Sequence, residues 1–359
     1  METLLRDLRI AARALRRSPG FAVIAILTLA LGIGANTAVF SVVDAVLLRP
    51  LPYPEPEEIV QIRHVDGDGD SQLNMSFPNY FDLRERSRSF DEMAVYSAGT
   101  TTTSGQAGAS RVEAAAVTAS FFDVLGVRPA LGRTFGRDEG VADVPVIVVG
   151  RGYWQTRLGG ETSLRDAVVR IGDRAYQVIG VMPAGFSFPD ETQVWVPSGA
   201  TLANQNRTAH NFHMIGRLRE SATLARAQDD LSAVARRLAA EYGDDTSMAD
   251  ALVVPLRDEL VGSARPALLI ISGAAAFLLL IVCANVVNLL LARLASRDRE
   301  LSIRQALGAG RRRLAGQFLT EALLLALIGG ALGVVLAIWG VPALLALEPG
   351  GLPRVDGVG

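Results

Sequence analysis

The chain contains no lysine: all 35 basic residues among its 359 are arginine. That absence excludes a Walker A phosphate loop, a Schiff-base lysine and a lysine general base together. A single cysteine, Cys283, excludes an intrachain disulfide and a cysteine-cluster metal site. Three histidines, His64, His210 and His213, offer little material for a zinc centre. Formal net charge is −2, so no basic field draws nucleic acid, and none is expected as a partner.

What the sequence does have is long apolar runs. Half of its positions are hydrophobic, and they are unevenly spread. Three windows lack charge over a length that crosses a bilayer, which takes roughly 20 apolar helical residues. They lie between Arg17 and Asp44, between Arg265 and Arg293, and between Glu321 and Glu348. Three spanning helices are expected, each long enough to tilt or to protrude. The first window could instead be a cleaved signal. Its length exceeds a usual signal core, and Arg16-Arg17-Ser18-Pro19-Gly20-Phe21 lacks twin-arginine spacing, so a retained helix is expected.

Arginine placement sets the expected orientation. Arg6, Arg9, Arg13, Arg16 and Arg17 precede the first span, and Arg293, Arg297, Arg299, Arg304 and Arg311-Arg312-Arg313 lie between the second and third. Both segments are expected in the cytoplasm, in a multi-pass protein of the inner (plasma) membrane. The divisions are then 1–20 (a cytoplasmic amphipathic helix), 21–48 (span 1), 49–264 (an extracytoplasmic domain), 266–292 (span 2), 293–320 (a cytoplasmic loop), 322–347 (span 3) and 348–359 (an external tail). The fold class is an α+β membrane protein with a large extracytoplasmic α/β core domain between the first and second spans.

Within that domain, Glu58 to Arg63, Arg111 to Val117, Val144 to Val149 and Asn211 to Leu218 read as strands. Phe77 to Arg88 and Leu224 to Tyr242 read as helices, Val168 to Val181 as a hairpin turning at Gly172-Asp173, and Ala251 to Leu256 as a last strand. Strand, helix, strand at the end suggests a ferredoxin-like or split α/β sandwich. Gly99 to Gly108 reads as an inserted β-rich piece, and two subdomains are expected. No catalytic constellation stands out. His210 and His213 lie three apart on a strand start, so they point to opposite faces without a carboxylate to complete a zinc site. Asp66, Asp68 and Asp70 resemble part of a calcium loop, but Ser71-Gln72-Leu73-Asn74 supplies no closing glutamate. No G-x-S-x-G elbow or H-E-x-x-H pair occurs.

The spans carry packing signals. Asn285 and Asn288, with Cys283 nearby, share a helix face that is expected to pack on another helix as interhelical glue. Gly329 and Gly333 form a small-residue surface for close approach, as do Gly32 and Gly34 with Asn36 in the first span. Between spans 2 and 3, Leu301, Ile303 and Leu307 give a short helix an apolar face that Gly308 ends. Ahead of the first span, Leu4, Leu5, Leu8, Ile10, Ala11 and Leu15 alternate with arginines as an amphipathic surface helix. Both elements suit anchorage at anionic lipid or docking into a groove on a soluble partner.

Asp7-Leu8-Arg9, Arg16 through Phe21, Leu31 through Ser41 and Leu47 through Tyr53 together resemble the opening of MacB/FtsX-like ABC transporter permeases. The similarity is greatest to the duplicated, acidobacterial-type orphan permeases. Cys283-Ala-Asn-Val-Val-Asn-Leu-Leu-Leu-Ala-Arg resembles the family's second helix, and Arg299-Glu300 through Leu307-Gly308-Ala309 its ATPase-facing loop. The resemblance implies a MacB-like periplasmic core domain and a separate ABC ATPase docking at Arg299, Glu300, Ile303, Arg304, Leu307 and Gly308. It implies no cofactor in this chain, ATP and magnesium being held by the partner ATPase. It also implies a homodimer or pseudo-dimer, possible contact with a periplasmic adaptor, and export or efflux; the alternative is a non-transporting mechanotransmission regulator of envelope enzymes or signalling. Family members carry four helices, or eight when duplicated. Leu352 to Asp356 resembles the lead-in to a further helix, so a chain truncated after the third helix is expected.

Overall fold

The computed structural model describes residues 9, 11–13, 15–72, 74–105, 108–136, 138–139, 144–160, 163–199, 206–262, 264–295 and 311–347. Two compact units emerge, one from Pro50–Leu260 and the other from Met1–Arg49 together with Val261–Gly359. In chain order the elements are α1 (Pro19–Val43), β1 (Ile59–Asp66), β2 (Ser71–Gln72), β3 (Asn74–Met75), α2 (Phe77–Arg86), β4 (Phe90–Gly105), β5 (Gly108–Val117) and α3 (Phe121–Leu125). There follow β6 (Leu131–Gly132), β7 (Val146–Val149), α4 (Arg151–Arg157), β8 (Val168–Ile171), β9 (Arg174–Val181), β10 (Val194–Pro197) and β11 (Phe212–Leu218). The last are α5 (Leu224–Tyr242), β12 (Met248–Pro255), α6 (Leu256–Gly262), α7 (Arg265–Ala295) and α8 (Arg311–Leu347).

One sheet organises the Pro50–Leu260 unit, in the order β12-β1-β11-β4-β5-β10-β7-β9-β6. Its first four strands are antiparallel neighbours, with α2 between β1 and β4 in sequence and α5 between β11 and β12. This is the split β-α-β pattern of a ferredoxin-like sandwich. The residues between β4 and β11 extend the same sheet through β5, β10, β7, β9 and β6.

Local chemistry explains the elements. Ser76 caps α2 by accepting the Asn79 N–H at 3.3 Å, and Thr223 caps α5 by accepting that of Arg226 at 3.3 Å. The turn between β8 and β9 falls at Gly172, whose φ of 58° suits a residue without a side chain. Strands with apolar residues at successive positions feed both faces of the sheet. On β4, Met93 and Val95 enter the core beneath α2 and α5, while Ala94 and Tyr96 enter a second core. That second core is aromatic, built on Phe121, Phe122, Phe186, Phe188 and Trp195. The Trp195 Nε1–H donates to the Phe188 carbonyl at 3.0 Å, so the buried indole is satisfied.

Strand β5 pairs along β4 from Tyr96↔Val117 to Gly105↔Gly108 and carries the sheet on, while β7 to β10 and α4 close a further core of their own around Ile147, Val149, Trp154, Val169 and Val178. Gly99 to Gly105 lies on β4, where the β-branched run Thr100 to Thr103 favours a strand, and β5 opens the inserted β-rich piece that the sequence suggests.

A polar network fastens α2 to the end of α5. Arg207 pairs with Asp82 at 2.7 Å, donates to the Asn79 side chain at 3.0 Å and lies 3.5 Å over the Tyr242 ring. Arg86 bridges Asp82 and Glu241 at 3.1 and 2.6 Å. Asp82 is buried, so loss of one cation leaves a poorly compensated charge. Arg207→Ala should lower unfolding stability by about 2–3 kcal/mol, read as a lower urea midpoint of the full chain in detergent, whereas Arg219→Ala on the surface should change it by less than about 0.5 kcal/mol.

Candidate functional site

Among the described residues, three helices are long and apolar enough to cross a membrane: 19–48, 265–295 and 318–340. The first is α1, continued by a π-type turn over Asp44–Leu48. Arg299, Glu300, Ile303, Arg304, Leu307 and Gly308, the expected ATPase-docking residues, lie outside the described residues, as does the tail over 348–359.

Helix α1 is the common partner of α7 and α8. A side chain on Gly329 would meet Leu29 Cβ at 2.6 Å, and one on Gly333 would meet the Ala30 carbonyl at 2.9 Å and the Gly34 nitrogen at 3.0 Å. Gly34 is closed by the Gly333 carbonyl at 3.0 Å, and Gly32 by Val282 Cγ2 at 2.7 Å. Both helices thus press against the α1 backbone where small residues let them in. Asn36 adds a directional tie, its Nδ2 donating to the Ala275 carbonyl of α7 at 2.9 Å and to its own Gly32 carbonyl at 3.0 Å.

The expected glue residues Cys283, Asn285 and Asn288 are exposed and meet neither α1 nor α8 within this chain. The stripe that packs against α1 is Val282, Val286 and Leu290, spaced four apart. Asn285 and Asn288 fall on a different side of the helix. A residue pair that sequence reasoning treated only as window boundaries proves central: Arg293 of α7 pairs with Glu321 of α8 at 3.4 Å, with side chains 8% and 1% exposed. The Arg293 guanidinium also lies 4.5 Å from the centre of the Phe21 ring of α1. The available signal was that opposite charges close adjacent windows on the same side of the membrane.

In the Pro50–Leu260 unit the histidines do not form a centre together. His64, fully buried on β1, packs against His210 with ring centroids 4.3 Å apart, while His213 stacks on Tyr96 at 5.0 Å. Burial, helped by the neighbouring His210, pushes the His64 imidazole down to about 4, against a weaker opposing pull from Asp66. Burial likewise lowers His210 and His213. The Asp66 carboxylate is spent on its own turn, accepting the Asp68 and Asp70 N–H groups at 3.3 and 3.1 Å and the Gln72 amide at 3.3 Å. Among the described residues no group of three or more His, Cys, Asp or Glu is placed to hold a metal ion.

Residues 22–234 match the family model described as MacB-like periplasmic core domain, and residues 272–353 match FtsX-like permease C-terminal. The chain belongs to the MacB/FtsX-like family of ABC permeases. The first match runs from α1 through the sheet into α5, and the second takes in α7 and α8. Relatives in this family include the macrolide export ATP-binding/permease proteins MacB 1 of Aeromonas hydrophila, 27% identical over 61% of this chain and 34% of that one, and MacB of Burkholderia thailandensis, 29% identical over 61% and 33%. The chain therefore spans about a third of the length of the curated relatives it matches. The periplasmic region of MacB from Actinobacillus actinomycetemcomitans aligns over 58% of this chain and 92% of that one, at 13% identity and a TM-score of 0.44.

Two outcomes are expected of this permease. Gly333→Leu should force α8 off α1 and lower the detergent melting temperature, an overpacking cost of about 1–3 kcal/mol, while Gly273→Leu, in open space on α7, should leave it unchanged. The depressed His64 implies that the unfolded chain takes up its proton first as pH falls below 6.5, so stability is full above that pH and declines toward pH 4. The loss is about 3 kcal/mol for a group so shifted. His64→Gln should flatten the fall in urea midpoint between pH 7 and pH 4.5, leaving the smaller contributions of His210 and His213.

Proposed function

We propose that this chain is the permease subunit of an ABC-type system, in which ATP hydrolysis by a separate ATPase moves the external domain, in export or efflux. The observation that carries the reading is the chain's architecture: one α/β unit between the first and second of three apolar helices, with the MacB-like periplasmic core domain matched over 22–234 and the FtsX-like permease C-terminal over 272–353. The relatives' names join ATP-binding and permease. A lysine-free chain supplies no Walker A lysine, so ATP and magnesium are assigned outside these 359 residues. Long arginine-bearing segments at 1–20 and 293–320 favour a cytoplasmic N-terminus and an external Pro50–Leu260 unit in the inner membrane.

The outward amides of α7 support a dimer. Asn285 and Asn288 each carry donors and an acceptor that hydrocarbon cannot match, and a second copy of the same face can satisfy them across a two-fold axis. Affinity purification of the solubilised chain tests the partnership. An ATPase should co-purify with the wild type and be lost with Glu300→Arg plus Leu307→Asp. Absence of an ATPase from both preparations counts against a separate docked subunit. Unchanged export of every tested compound from cells lacking the gene, with altered envelope hydrolase activity, would favour the regulatory alternative.

A further inference from the structure

We infer that Arg293, Glu321 and Phe21 form a positioning pin that fixes α7 and α8 to each other at the bundle end from which residues 296–310 leave. Ionisable side chains inside a membrane bundle are costly, and those that persist face inward and carry a role. Arginines that merely anchor a helix at the interface keep their heads in water, as the exposed Arg16 and Arg17 do. Arg293 does not; its side chain is 8% exposed and Glu321 is 1% exposed, both within candidate spans or their last turns. The Phe21 ring offers its face to the guanidinium and offsets part of the lost hydration.

The position of the pin gives it its consequence. Elsewhere α7 and α8 are joined through α1, by contacts of Gly32 with Val282, Gly329 with Leu29 and Gly333 with Gly34. Small-residue faces of this kind hold helices close but resist sliding and rotation weakly, and the directional tie described among them, from Asn36 to the Ala275 carbonyl, joins α1 to α7 and leaves α8 unbonded to α7. Among the described residues the ion pair joins α7 to α8 directly, and it does so two residues before the end of α7. Closing that third side of the triangle makes the helix before residues 296–310 and the helix after them move as one body. A load applied to the intervening segment then reaches α1, α7 and α8 together rather than splaying two of them. The inference rests on helix geometry and not on the identity of any ATPase, so it can fail while the transport reading stands.

Double electron–electron resonance tests the pin on the full chain in nanodiscs of phosphatidylethanolamine and phosphatidylglycerol. With Cys283→Ala as background, nitroxides are placed at Leu291→Cys and Leu319→Cys, both exposed positions flanking the pair. The parent should give one narrow distance distribution. Glu321→Gln and Arg293→Gln should each broaden it and shift it outward, and Arg293→Lys should broaden it too, since a point charge does not reproduce the planar fork. Arg293→Glu alone should broaden it most, and the reversed pair, Arg293→Glu with Glu321→Arg, should recover part of the narrowing, because it restores the charge pairing but sets a carboxylate over Phe21. Parent-like distributions in both single glutamine variants overturn the pin, as does a reversed pair no narrower than Arg293→Glu alone. If the glutamine variants do not yield monodisperse protein, Phe21→Leu keeps both charges and decides: broadening supports the pin, and a parent-like distribution overturns it.

Discussion

Helix α1 can lie against α7 and α8 at once only because glycine occupies the points of closest approach. At Gly34 and Gly333 the two backbones come within a distance that leaves no room for a Cβ on either side. In hydrocarbon there is no hydrophobic gain from bringing apolar helices together, so dispersion contacts at short range and a few polar ties must do it. The small-residue faces supply the first, and Asn36 and the Arg293–Glu321 pair supply the second. The membrane unit follows from that constraint: α1 in contact with both neighbours, and one buried charge pair at the end where the chain passes from α7 to α8.

The Pro50–Leu260 unit solves a different problem. A sheet with helices on one face usually shows alternating apolar and polar residues, but here β1, β4 and β11 are apolar at successive positions because both faces are covered. Helices α2 and α5 cover one face, and the aromatic cluster around Phe121, Phe122 and Trp195 covers the other. The inserted strands extend the same sheet, since β5 runs alongside β4 for its whole length, and they close a further core around Ile147, Val149, Trp154 and Val178.

Much of the fold was legible in one dimension. The charge-free windows marked the helices, because length and hydropathy alone decide whether a segment can cross a bilayer. Helix α5 was read with its observed ends, Leu224 and Tyr242, since a capping threonine and a 3.6-residue apolar period are local signals. The ferredoxin-like ending was legible from the strand–helix–strand order. The continuity of the sheet was not, because strand pairing across β4 and β5 depends on partners that no local pattern names. The stripe of α7 that meets α1 was not legible for a related reason: two amides on a helix announce a need for partners without saying where the partners are.

The sequence by itself determined how the chain divides: three charge-free windows wide enough to cross a bilayer, around an α/β segment. Only the tertiary structure decided which side of each helix faces its neighbours, and that Arg293 and Glu321, twenty-eight positions apart in the chain by number, meet out of water beside Phe21. Hydropathy is a property of segments, whereas the facing of a helix and the pairing of a charge are properties of two segments at once. They are set by shape and by the energy of burying a charge, and both exist only after the chain has folded.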